Sequence, residues 1–93
     1  MKKLSPESVL TAQKNVVSKN VASEYMLLHL ESGDYFGLNA SGHEFWTLVD
    51  GRRTLREISA AVSKRSGVSA ETAQKEALGF FNILWKYKLI DVR

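Results

Sequence analysis

The sequence predicts an α+β fold of the winged helix-turn-helix type, with a three-stranded antiparallel sheet followed by three helices. Three observations predict it. The first 38 residues hold short apolar runs separated by turn chemistry, with no helical period. After Asn39 the apolar spacing changes to three and four residues. Two Ser/Thr-x-x-Glu patterns and two well-placed glycines then punctuate the rest into helices.

The elements follow in order. Val9-Leu10-Thr11-Ala12-Gln13 reads as a first short strand. Asn15 to Asn20 is polar enough to contain a turn, although Val16 and Val17 can extend a strand. Tyr25 to Leu30 is the strongest strand, apolar throughout except at His29. Glu31-Ser32-Gly33-Asp34 is a turn, with Gly33 free to take positive φ. Tyr35-Phe36-Gly37-Leu38 returns as the third strand and lies at the sheet edge. Ser41 with Glu44 predicts a capping box for a first helix carrying Phe45, Trp46, Leu48 and Val49, stopped at Asp50-Gly51. Thr54 with Glu57 opens a second helix, and Gly67 closes it. Ser69 caps a third, which runs to about Tyr87, and Leu89 to Val92 forms an extended tail.

Composition narrows the function. The 93 residues are enough for one domain, with 44% hydrophobic and 25% charged side chains. There is no cysteine, which excludes disulfides, thiolate nucleophiles and iron–sulfur ligation. The basic opening Met1-Lys2-Lys3 is not followed by an apolar run, so a cytoplasmic protein is expected. Charge is unevenly spread. Residues 21–51 carry Glu24, Glu31, Asp34, Glu44 and Asp50 with no Lys or Arg, between two basic flanks. Such a sign boundary is either a solvated surface or a seat for a polar partner. His29 and His43 match no zinc spacing, no serine has a base and an orienting acid in a recognisable pattern, and the six glycines form no phosphate loop. No catalytic residue, cofactor or metal is therefore expected.

The third helix carries two stripes. Ala73, Ala77, Phe80, Leu84 and Tyr87 share one face and are the expected core contact. Gln74, Leu78, Phe81 and Trp85 share another, turned about 100° away. Burial against helices and sheet would explain both. A groove beside the sheet, with the second stripe as one wall, explains why that stripe ends in Trp. The third strand is the other wall. It has neither Lys nor Pro to blunt its edge, although Gly37 can host a bulge. Such an edge suits strand addition by an extended peptide.

The ordered set Leu27-Leu28-His29-Leu30-Glu31-Ser32-Gly33-Asp34-Tyr35-Phe36-Gly37-Leu38-Asn39, Ser41-Gly42, Phe45-Trp46, Leu48-Val49-Asp50-Gly51, Thr54-Leu55-Arg56-Glu57-Ile58, Phe80-Phe81, Leu84 and Leu89-Ile90 resembles the PqqD family over about residues 9–92 of a single 1–93 domain. One departure is Lys88, where that family often has Gly. The resemblance implies a RiPP recognition element, which binds the leader of a ribosomally made precursor peptide and presents it to separate modifying enzymes. Those enzymes are a leader peptidase in lasso-peptide pathways and a radical-SAM enzyme in pyrroloquinoline quinone biosynthesis. By position, Tyr35, Phe36, Gly37 and Leu38 would pair with the leader, and Gln74, Leu78, Phe81 and Trp85 would contact its side chains.

Two other classes fit the chain. One is a winged-helix DNA-binding protein, on fold and basic charge. Against it, the third helix opens Ser69-Ala70-Glu71-Thr72-Ala73-Gln74-Lys75-Glu76, whose two carboxylates repel phosphates, so no nucleic acid is expected. The other is a structural subunit that forms a homodimer by pairing the strand edge with itself, which is compatible with peptide binding. No membrane partner is expected.

Overall fold

The computed structural model describes residues 3–93. Five strands and three helices follow in the order β1 (Leu10–Ala12), β2 (Val16–Val21), β3 (Glu24–His29), β4 (Tyr35–Leu38), α1 (Ala40–Thr47), α2 (Leu55–Ser66), α3 (Ala70–Lys86) and β5 (Ile90–Val92). The expected three-stranded antiparallel sheet and three helices are present, but the sheet is β2-β3-β4. The run at Val9–Gln13 does not join it. It pairs instead with the C-terminal strand, Leu10 opposite Val92 and Ala12 opposite Ile90. The expected tail is thus a strand, and its Leu89 and Ile90 are buried in the core.

The stretch from Asn15 to Asn20, expected to contain a turn, lies in β2 from Val16 onward, with Val17 opposite Leu28 and Val21 opposite Glu24. Two residues make the connection to β3. Ala22 and Ser23 both have positive φ, 51° and 68°, as the tight hairpin turn requires. Neither is a residue that signals that turn. The β3–β4 turn does carry its signal, with Gly33 at φ 78°.

The helix boundaries are set by side chains that satisfy free amides. Asn39, not Ser41, caps α1; its Oδ1 accepts from the Gly42 N–H at 2.8 Å. The Ser41–Glu44 box does not form, because Ser41 already lies inside the helix. Gly51 also does not stop α1, which ends at Thr47 with Leu48 as its C-cap. Gly51 lies beyond it, at φ 79°, and donates its N–H to Leu10. The Thr54–Glu57 box caps α2 and Gly67 ends it at φ 80°. Ser69 caps α3 by accepting from Thr72.

The end of α3 carries a Schellman motif. Leu89 N–H donates to Leu84 and Lys88 N–H to Trp85, with Lys88 at φ 60°. The residue that differs from the usual glycine therefore occupies the left-handed position glycine favours.

The core is a single cluster drawing Leu10 from β1, Leu27 from β3, Phe45 from α1, Leu55, Ile58 and Val62 from α2, Ala77, Phe81 and Leu84 from α3, and Ile90 from β5. Phe45, Phe80 and Phe81 form an aromatic triad with centroids 5.0–5.9 Å apart. No helix among the described residues is long and apolar enough to cross a membrane.

Candidate functional site

The sheet has two edges, β2 and β4, and β4 is the one beside which α3 lies. The inner face of β4 holds Phe36 and Leu38, which pack on the core cluster. Tyr35 and Gly37 alternate to the outer face, where Tyr35 is 70% exposed. The hydrogen-bond alternation is set at the turn. His29 N–H donates to the Asp34 carbonyl at 2.9 Å and the His29 carbonyl accepts from Gly33 at 2.8 Å, so His29 turns its backbone groups toward the β4 side and pairs there with Asp34. Two residues along, Leu27 and Phe36 are the next such pair, then Tyr25 and Leu38. The amides and carbonyls of Tyr35 and Gly37 therefore point away from β3, toward the open edge. Gly37 hosts no bulge; the register runs without interruption from Tyr25 opposite Leu38 to Leu28 opposite Tyr35.

α3 runs beside this edge and leaves a hollow of about 250 Å³ lined by Phe36, Gly37, Leu38, Asn39, Phe80, Ile83 and Leu84. Phe80 and Asn39 also line a second hollow of about 150 Å³ with Ser41, Gly42, Phe45 and Glu76. At the other end the Tyr87 ring packs on Phe36. Beyond it a third hollow of about 530 Å³ is bounded by Gln13, His29, Glu31, Ser32, Asp34, Tyr87 and Lys88. The third is the largest of the three, with a wall of mixed polar and apolar surface; the wall of the first is mainly apolar. A groove thus runs along β4, with an apolar middle and carboxylates near both ends. Its α3 wall extends from Glu76 to Tyr87, about 16 Å at helical rise, close to the length of a five-residue strand.

The α3 stripe expected to form this wall does not. Phe81 is fully buried, beside Phe45. Gln74, Leu78 and Trp85 are half-buried on the opposite flank of the core face. The wall is instead made by Phe80, Leu84 and Tyr87, taken from the stripe expected to be core, together with Ile83. The buried line of α3 is Ala73, Ala77, Phe81 and Leu84. It falls between the two stripes read from the sequence, which moves the groove to the far side of the helix. Ile83 and Trp85, two residues apart, lie about 200° apart around the axis. Ile83 was the missed residue. It is 52% exposed, as is Tyr87. The tandem Phe80-Phe81 held the signal, since only one of two neighbours can sit at the centre of a buried stripe.

Gly42 sets the position of Phe80. A Cβ on Gly42 would lie 3.0 Å from the Phe80 ring, so its absence lets α1 seat that ring in the wall of the groove.

Charge at the site is simple. Glu31 accepts a hydrogen bond from Asn15 at 3.1 Å, and the Lys86 ammonium lies 5.7 Å from the centre of the Tyr87 ring. Of the basic residues bracketing α2, Arg53 meets Asp50 at 3.4 Å and Arg56 meets Glu7 at 2.6 Å. No group of three or more metal-ligating side chains occurs among the described residues.

Two solved structures share this architecture. One is described as TbiB1 in complex with the TbiA(beta) leader peptide. It is 31% identical, with a TM-score of 0.77, over 87% of this chain and 94% of that chain. The other, described as lasso peptide synthetase B1 complexed with the leader peptide, has a TM-score of 0.79 over 89% of this chain and 98% of that chain. At 12% identity the second likeness speaks to the fold alone. A comparison with curated protein sequences finds no match. The family model for PqqD, coenzyme PQQ synthesis protein D, matches residues 24–90, from the first residue of β3 to the first of β5. The chain belongs to the PqqD family.

Proposed function

We propose that this protein binds the leader region of a ribosomally synthesised precursor peptide and holds it for separate modifying enzymes. The leader adds as a strand to β4, with side chains of one face set into the groove against Phe80, Ile83 and Leu84. The observation that carries this reading is the open β4 edge beside an apolar groove. Tyr35 and Gly37 direct their amides and carbonyls outward there, and unpaired edge groups favour an added strand. The 31%-identical neighbour, described as a complex with a leader peptide, supports the same occupant.

The reading assigns binding and not catalysis to this chain, so a leader peptidase or a radical-SAM enzyme acts on the bound precursor. Main-chain pairing gives affinity without regard to sequence, and the groove gives selectivity. Strand addition with two or three anchored side chains corresponds to dissociation constants from about nanomolar to micromolar.

Peptides captured from native lysate and identified by mass spectrometry, then resynthesised and titrated, test the proposal. The expected result is a precursor leader whose binding is weakened about ten-fold or more in Ile83→Asp. Titration with random duplex DNA is the counter-test. Tight binding that falls steeply with salt would favour a winged-helix DNA-binding role instead.

A further inference from the structure

Gly37 has no reason within this chain to be glycine. Its φ is not in the left-handed region, and its register with Met26 is regular. A Cβ built on it meets nothing within 4 Å. Glycine weakens a strand interior, and such a position often marks the close approach of something else.

The surroundings of the gap are specific. Leu27 is buried on the inner face, so Met26 and Leu28 face outward. Strand register sets two outer rows, Val17–Leu28–Tyr35 and Lys19–Met26–Gly37. Both end at the open β4 edge. In the second row the missing side chain of Gly37 leaves a notch beside Tyr35 that opens onto half-buried Met26.

We propose that this outer notch is a second recognition subsite, which takes a large apolar side chain of the added strand. The inference rests on the strand-addition reading given above. An added strand alternates its side chains, so every second residue misses the groove and stands on the outer face. The residue opposite Gly37 is one of these. With no side chain on Gly37, a long or aromatic group can lie across its backbone onto Met26, flanked by Tyr35. Covering of an edge glycine by an aromatic neighbour is a known stabilising arrangement in sheets. The peptide is then read on both faces.

The test uses a displayed library of random 16-residue peptides selected on the full chain. Recovered peptides are titrated against wild type, Gly37→Val and Ile83→Asp, and each peptide is alanine-scanned on wild type. The expected peptides have two interleaved sets of sensitive positions, one on each face. Gly37→Val melts no lower than wild type but binds about ten-fold or more weakly, as expected for lost burial of one large side chain. Alanine at the outward position causes a similar loss on wild type and little further loss on Gly37→Val. Binding that Ile83→Asp weakens, but that Gly37→Val and the outward alanine leave unchanged, would overturn the subsite and leave the groove standing. A Gly37→Val chain that fails to fold would also overturn it, because the notch would not be empty. No enriched peptide, or peptides indifferent to Ile83→Asp, would overturn the strand-addition reading and the subsite with it.

Discussion

The Phe36 and Tyr87 rings meet with centroids 4.8 Å apart and planes inclined at 52°. Phe36 belongs to the edge strand and Tyr87 to the C-cap of α3. This contact joins the two walls of the groove at its hairpin end. Tilted aromatic pairs contribute about 0.5–1.5 kcal/mol beyond their burial. Tyr87→Ala is therefore expected to lower stability by about 1 kcal/mol, a fall in Tm of roughly 4–8 °C for a domain of this size. Thermal unfolding followed by circular dichroism measures it.

Proline separates the edge from the sheet. Tyr35 turns its N–H outward, so Tyr35→Pro should fold and lose strand addition. Phe36 spends its N–H on Leu27, so Phe36→Pro should lose folded protein as well. Parallel melts and peptide titrations distinguish the two outcomes.

The two flanks of α3 should respond differently. Ile83→Asp alters a half-exposed side chain in the groove wall. It should leave Tm within a few degrees and weaken peptide binding about ten-fold or more. Phe81→Ala removes a fully buried ring and should cost about 3–5 kcal/mol, read as a large drop in the urea midpoint. Trp85→Ala, on the flank away from the groove, should change binding little.

Backbone strain offers stabilising substitutions. Lys88, Ala22 and Ser23 all hold positive φ, which costs a residue with a Cβ about 1–2 kcal/mol. Lys88→Gly and Ser23→Gly should each raise stability by about 1 kcal/mol, net of the glycine's greater unfolded-state freedom. Denaturant midpoints check this.

Asp50 supplies a pH dependence. Its carboxylate accepts from the backbone N–H groups of Arg53 and Arg52, each at 2.9 Å, and lies beside the Arg53 guanidinium. The Arg53 amide and then the Arg52 amide, aided by the charges of both arginines and opposed by partial desolvation, hold its pKa below the ordinary carboxylate value. A depressed folded pKa stabilises above the unfolded value, and that stability is lost as pH falls through the folded value. Asp50→Asn should flatten the acid limb of the stability curve below about pH 4 and leave its slope near neutral pH unchanged. Urea midpoints across a pH series measure both.

The parts legible in the sequence were those with local chemistry. Thr54–Glu57, Gly67 and Ser69 bounded their helices as read, because capping is settled within four residues. Gly33 marked its turn for the same reason. The β2–β3 hairpin was hidden because Ala22-Ser23 takes a turn its side chains do not favour, held there by strand pairing on either side.

By itself the sequence determined the α+β class, the helix order and the open edge at Tyr35–Leu38. Alternation, period and capping depend only on neighbours along the chain. Tertiary structure decided the partner of the first strand and the side of α3 that faces the groove. β1 and β5 pair from opposite ends of the chain and bury Leu10 and Ile90 in the core, a pairing no local window contains. The rotation of α3 depends on where Phe45 and the other core side chains leave room for one ring. They leave it for Phe81, and that turns Phe80, Ile83 and Tyr87 toward β4.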